Sequence, residues 1–146
     1  MEILQRLRAE LSSMSFQHAC ELVVKTLRRS VPHYNWVGIY LVKGQELMLT
    51  AWDGPEATQH TRIPIGQGIC GLAARERRTV IVEDVKQDPR YLACFPYTRS
   101  EIVVPILRAE EVVGEIDIDS DTASAFTAQD KKFLEEVAQL LAERHA

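Results

Sequence analysis

"SEIVVPILRAEEVVGEIDIDS", residues 100–120, is the stretch whose reading decides the fold. Two runs rich in Val and Ile, "SEIVVPILR" and "EVVGEIDIDS", flank the polar turn "AEE". β-Branched residues suit the pleated, half-buried surface of a sheet, so the stretch predicts a β-hairpin. In the second run Glu115, Asp117 and Asp119 alternate with Ile116 and Ile118. Successive side chains of a strand point to opposite faces, so these three carboxylates share one face. Glu101 in the first run offers a fourth. A solvent-facing strand is the ordinary reading of such a pattern. Yet four carboxylates on one small surface repel each other. That cost is better tolerated where a cation, an amine or a shared proton sits among them. Carboxyl pKa values would then rise, giving acids able to donate protons near neutral pH.

Beyond this hairpin, Thr127 to about Arg144 carries a helical stripe of Phe133, Leu134, Val137, Leu140 and Leu141, opened by a capping-box pair, Thr127 and Asp130. Towards the N-terminus, "TVIVED" (79–84) reads as a short buried strand, and "RIPIGQGICGLAARERR" (62–78) as extended chain that turns helical after its glycines. "NWVGIYLVK" (35–43) and "ELMLTAW" (46–52) form a second predicted hairpin. Ile3, Leu4, Leu7 and Leu11 mark a first helix. A second starts at the N-cap candidate Ser15, shows Phe16, Ala19, Cys20, Val23, Val24 and Leu27 on one face, and ends before Pro32. The order predicts an α+β fold in one domain, 1–146: a mostly antiparallel sheet, terminal helices on one face, and loops over a ligand pocket on the other. The irregular segment "VKQDPRYLACFPYTR" (85–99) is the candidate roof.

The chain has 146 residues and a formal net charge of −4, with no basic face to suggest nucleic acid. No apolar run approaches the roughly 20 residues of a membrane span. The N-terminal "MEILQRLRAELSS" lacks the apolar core of a signal peptide, so a cytoplasmic protein is expected. In that compartment a standing disulfide is unexpected, and the three cysteines form no CxxC pair.

Each cysteine has a bland reading as a small buried hydrophobe. Cys20, on an apolar helix stripe, fits it well. Cys94 lies in the irregular segment with Arg90 and Arg99 nearby, and positive charge there would favour a thiolate. Cys70 follows a Gly-rich turn at a predicted helix start, where free N–H groups and the helix dipole would do the same. For both, packing and reactivity remain open on the residues alone. Trp36, Gly38 and Tyr40 share a face of the first strand; plain core packing is the common case, but two aromatics around a glycine could leave a gap. His60 with the two loop cysteines could suit zinc, although the spacing fits no known zinc knuckle.

Taken together, "NWVGIYL", "RIPIGQGICGLAA", "VEDV", "ACFPYTRSEIVVPI" and "EIDIDS…FTAQDKKFLE" resemble the GAF domain family, and within it the free methionine-(R)-sulfoxide reductases. The resemblance spans residues 35–136. It implies a six-stranded antiparallel sheet with a closed pocket, no bound metal or cofactor, and reduction of free L-methionine-(R)-sulfoxide. It further implies Cys94 as the nucleophile and Cys70 as the second catalytic cysteine. Glu101, Asp117 and Asp119 would be the acids that hold substrate, and Trp36 and Tyr40 the aromatic wall at its S-methyl end. Thioredoxin would be the external reductant, and pairing of two chains through the terminal helices is a possibility. The chain departs from the family where a third cysteine usually precedes "RIP": "QHTRIP" has His60 there. That departure motivates the alternative of a non-catalytic module that binds a small ligand or senses redox state.

Overall fold

A computed structural model of the chain describes residues 2–91 and 95–145. Its elements follow in the order α1 (Glu2–Leu11), α2 (Phe16–Ser30), β1 (Trp36–Lys43), β2 (Glu46–Asp53), β3 (Arg62–Pro64), α3 (Gly68–Glu76), β4 (Val80–Val82), a 3-10 turn (Val85–Gln87), β5 (Ser100–Arg108), β6 (Glu111–Ser120) and α4 (Ala128–Arg144). The strands form one six-stranded sheet in the order β3-β2-β1-β6-β5-β4, with every neighbouring pair antiparallel. This is the expected α+β architecture. Three boundaries are tighter than the sequence suggested. "TVIVED" contributes only Val80–Val82, at the edge of the sheet. β1 starts one residue later, at Trp36. The hairpin turn is Ala109–Glu110, both at positive φ (51° and 68°), while Glu111 already pairs with Arg108.

Period-two alternation sorts the central strands into two cores. Val37 and Ile39 of β1, Ile102, Val104 and Ile106 of β5, and Ile116 and Ile118 of β6 join the helices in one apolar cluster. Tyr40, Leu47, Val103 and Ile63 join Ile69, Cys70, Leu72 and Ala73 of α3 in the other. Both faces are therefore covered, which is why β1 and β5 are almost uniformly buried along their length.

The helix termini are built as the sequence proposes. The hydroxyl of Ser15 accepts from the backbone N–H of His18 at the start of α2. At the start of α4, the Thr127 hydroxyl and the Asp130 carboxylate cap each other's backbone N–H groups. Asp130 also accepts a short hydrogen bond (2.6 Å) from the Tyr34 hydroxyl, which fastens α4 to the chain entering β1. Burial opposes charge on Asp130, but Tyr34, Thr127 and nearby His33 outweigh it and hold the carboxyl below its usual range. Leu4, Leu7 and Leu11 of α1 and the stripes of α2 and α4 are buried against their own chain. Among the described residues, no helix is long and apolar enough to cross a membrane.

Candidate functional site

The pleat of β6 carries Glu115, Asp117 and Asp119 to the face opposite the terminal helices. Register sets their neighbours: Tyr40, Gly38 and Trp36 of β1 stand across from Glu115, Asp117 and Asp119 in turn. Glu101 of β5 stands across from Asp119 on the other side. The four acids are not on a solvent face at all, since each is between 0 and 5% exposed. α3 lies over them and brings Cys70, itself buried, into their midst. The Cys70 Sγ and a carboxylate oxygen from each of Glu101 and Asp117 all lie within 4.8 Å of one another.

Burial dominates the electrostatics. It raises the carboxyl pKa of Glu115, Asp117 and Asp119, and the charge of Asp117 adds to the rise at Glu115 and Asp119. Hydrogen bonds from Glu101 to Asp117 and Asp119, and from Thr98 to Asp119 (Oγ1 to Oδ2, 3.3 Å), oppose the rise without cancelling it. One oxygen each of Asp117 and Asp119 is buried without a hydrogen-bond donor among the described residues, and Glu115 has the Cys70 thiol beside it. Isolated buried carboxylates are costly, so burial favours the protonated form of each of these three acids.

At Cys70 the two influences left open by the sequence come down on the side of the thiol. Cys70 is indeed the third residue of α3, where the helix dipole favours a thiolate. Burial, then the charges of Asp117, Glu115 and Glu101, push its thiol pKa well above the ordinary value. Burial, with three acids from β5 and β6 added to it, outweighs the partial charge of one helix end. Cys70 is therefore a thiol here. Cys20 sits in the other core, pushed up to about 12 by burial and by Glu21, as packing predicts.

Around Gly38 the structure takes the common case, plain core packing. There is no gap over Gly38. The ring of Trp36 folds back across it, and a Cβ at Gly38 would collide with Cζ3 and Cη2 of that ring. Gly54 underlies the same indole, and a Cβ there would meet its Cδ1. The indole N–H donates to the carbonyl of Glu56 (3.1 Å), and Trp52 and Phe95 pack beside the ring, with centroids 6.3 and 5.8 Å away. Tyr40 is fully buried, with its hydroxyl donating to the carbonyl of His60 (2.8 Å). The cavity left beside Cys70, Glu101 and Asp117, closed by Ile63, Gln67 and Ile69, holds only about 10 Å³. That is room for about one water. An amino acid could enter only if residues lining this cavity moved.

Cys94 lies outside the described residues. Arg90 and Arg99, read as its positive surroundings, each face an acid: Arg90 pairs with Asp88 (2.6 Å) and Arg99 with Asp84 (3.7 Å). Among the described residues the metal-like grouping is Cys70, Glu101 and Asp117, so His60 is not part of it. Glu115 and Thr98 enter the site without having been assigned to it. The "EIDID" alternation already marks Glu115, whereas Thr98 carries no sequence signal.

A six-stranded antiparallel sheet with helices on one face and a closed acidic pocket under α3 defines the class. A model of the GAF domain matches residues 15–144, and the chain belongs to the GAF family. Within that family it is similar to the solved type II free methionine-R-sulfoxide reductase from Thermoplasma acidophilum: 39% identity, TM-score 0.83, covering 97% of this chain and 94% of that one. The Neisseria meningitidis free methionine-R-sulfoxide reductase, solved in complex with its substrate, is 34% identical with a TM-score of 0.92, covering 98% of this chain and 86% of that one. The Saccharomyces cerevisiae protein named free methionine-R-sulfoxide reductase is 37% identical over 131 residues, which are 87% of this chain and 72% of that protein.

Proposed function

We propose that the protein reduces free L-methionine-(R)-sulfoxide to methionine. The observation that carries this reading is the burial of Cys70 among Glu101, Glu115, Asp117 and Asp119 in a chain with reductase relatives along nearly its whole length. In the reaction, the thiolate of Cys94 attacks the sulfoxide sulfur. A carboxyl of the cluster gives its proton to the sulfoxide oxygen, methionine leaves, and Cys94 becomes a sulfenic acid. The thiol of Cys70 then attacks that sulfur, and water departs with the thiol proton. A Cys70–Cys94 disulfide remains, the sulfoxide having gained the two electrons that the thiols lost.

The chain's own groups suit these steps. Acids whose pKa values are raised by burial can serve as proton donors. When a free amino acid arrives, its ammonium can take the place of those protons, so the acids bind the substrate at the moment they ionise. Trp36 and Tyr40 offer apolar and polarisable surface to the S-methyl end. With His60 where relatives of this kind often have a third cysteine, Cys70 is the resolving thiol. A Cys70 that stays protonated until the sulfenic acid forms does not compete with the nucleophile for substrate.

The disulfide is returned to thiols by the dithiol of thioredoxin, which fits a cytoplasmic location. Because the apolar stripes of α1, α2 and α4 already pack within the chain, any pairing of two chains would use the outer faces of these helices. Consumption of NADPH with thioredoxin and thioredoxin reductase, measured on each sulfoxide epimer, tests the activity. Turnover of the R epimer alone is expected. The reading fails if the R epimer is not reduced with either thioredoxin or dithiothreitol.

A further inference from the structure

Thr98 reaches the acids from the irregular segment before β5, not from a strand of the sheet. It is nonetheless 3% exposed. The backbone around it is fastened on both sides. The Thr98 N–H donates to the carbonyl of Phe95 (3.3 Å), and the Arg99 N–H donates to that of Ser120 (2.8 Å) at the end of β6. The hydroxyl is thus held beside β6, where it donates to Asp119 Oδ2 (3.3 Å). Asp119 is itself fixed in the sheet between Trp36 of β1 and Glu101 of β5. Its other oxygen, Oδ1, is buried and meets no donor among the described residues. Burial and the charge of Asp117 disfavour the ionised form of Asp119, and the Thr98 hydrogen bond works against them.

Thr98 differs in kind from Cys70 and the other acids. Those groups can each lose a proton, whereas a threonine hydroxyl keeps its own and can donate it whatever the charge of its partner. Hydroxyl-to-oxygen hydrogen bonds commonly span about 2.5–3.0 Å, so the Thr98 bond is a loose one. It has room to tighten when Asp119 becomes an anion. From this geometry we infer that Thr98 is a positioning residue: it holds Oδ2 of Asp119 so that Oδ1 can receive the ammonium group of a free amino acid. The inference rests on the proposed function, since it names how one acid of that site is set for its substrate. Its effect falls on substrate binding, not on cleavage of the S–O bond.

Single-turnover reduction of methionine-(R)-sulfoxide by the reduced chain, followed against substrate concentration, separates binding from chemistry. Thr98→Val keeps the shape of the side chain and removes its hydroxyl. It should raise the half-saturating concentration at least about tenfold, the worth of a hydrogen bond to a charged group, and leave the limiting rate within about threefold. Thr98→Ser restores the hydroxyl and should stay within about threefold of the wild-type chain in both quantities. In an Asp119→Asn chain, adding Thr98→Val should change the slope at low substrate by less than about twofold, because the partner is already lost. The inference is overturned if a folded Thr98→Val chain saturates like the wild type, or loses limiting rate instead. It is equally overturned if Thr98→Ser loses as much as Thr98→Val, or if the full loss recurs beside Asp119→Asn. Circular dichroism checks the fold, and if Thr98→Val does not fold, Thr98→Ala is judged by the same figures. A wild-type chain that reduces no sulfoxide sinks the functional reading and this inference together. Wild-type turnover with an indifferent Thr98→Val sinks the inference alone.

Discussion

The buried acids make the fold's stability depend on pH in an unusual direction. A carboxyl whose folded pKa lies above its unfolded value stabilises the fold fully at pH below the unfolded value. That contribution is lost as pH rises through the folded value. Glu115, Asp117 and Asp119 all shift this way, from ordinary values of 4.5 (Glu) and 3.8 (Asp). Asp130 and Asp88 shift the other way, so their contributions are already complete above pH 5. Between pH 5 and 8, therefore, stability should fall with rising pH. The ordinary thiol value of 9.0 leaves Cys70 protonated across this window whether the chain is folded or not.

The magnitude follows from proton linkage. Each proton held by the folded state but not by the unfolded state costs about 1.4 kcal/mol per pH unit. For a domain of this size 1 kcal/mol shifts Tm by roughly 2–4 °C. One retained proton then lowers Tm by roughly 3–6 °C per pH unit. Glu115→Gln removes one titrating site while keeping its shape. Its Tm should exceed that of the wild-type chain increasingly as pH rises, and the difference between the two cancels the histidines and surface acids. The assay is differential scanning calorimetry in chelator-containing buffer at half-unit steps. If Tm stays level or climbs from pH 5 to 8 in the wild-type chain, and Glu115→Gln follows it in parallel, the acids are not buried as protonated groups and the reasoning is wrong.

Three further outcomes are expected. Gly38→Ala puts a methyl group into the Trp36 ring and should cost about 1–3 kcal/mol, read as a lowered urea midpoint, with quenching or red shift of tryptophan emission as the ring is displaced. Thr127→Ala removes the α4 cap and should cost about 1 kcal/mol with no change in the pH slope, as thermal unfolding at two pH values would show. Cys70→Ser should yield one methionine per chain in a single turnover but little thioredoxin-supported turnover afterwards. Mass spectrometry that finds the wild-type enzyme fully recycled while Cys70 never joins a disulfide would exclude it as the resolving thiol.

The sequence was most informative where one side chain's role depends on its near neighbours. The alternation of Glu115, Asp117 and Asp119 with Ile116 and Ile118, the Thr127–Asp130 cap and the Ser15 cap are all settled within a few residues, and each appears as expected. It was least informative where distant elements compete for one atom. The start of α3 argues for a thiolate at Cys70, yet burial, and then three acids from strands more than thirty residues downstream, favour the thiol. Likewise the gap over Gly38 depends on where Trp36 turns its ring, and that is decided by Gly54 and the carbonyl of Glu56, which β2 returns to its side. Asp130 reads as a cap, but its second bond, to Tyr34, spans 96 residues. Burial of the acids is the same kind of fact. A strand with acids on one face normally turns it to water, and only the crossing of α3 above β5 and β6 makes it an interior. The chemistry of this pocket thus comes from placing a helix start over an acidic strand face. Each half, taken alone, favours charge: a thiolate on α3 and ionised carboxylates on β6 become, once buried together, groups whose protonated forms are favoured.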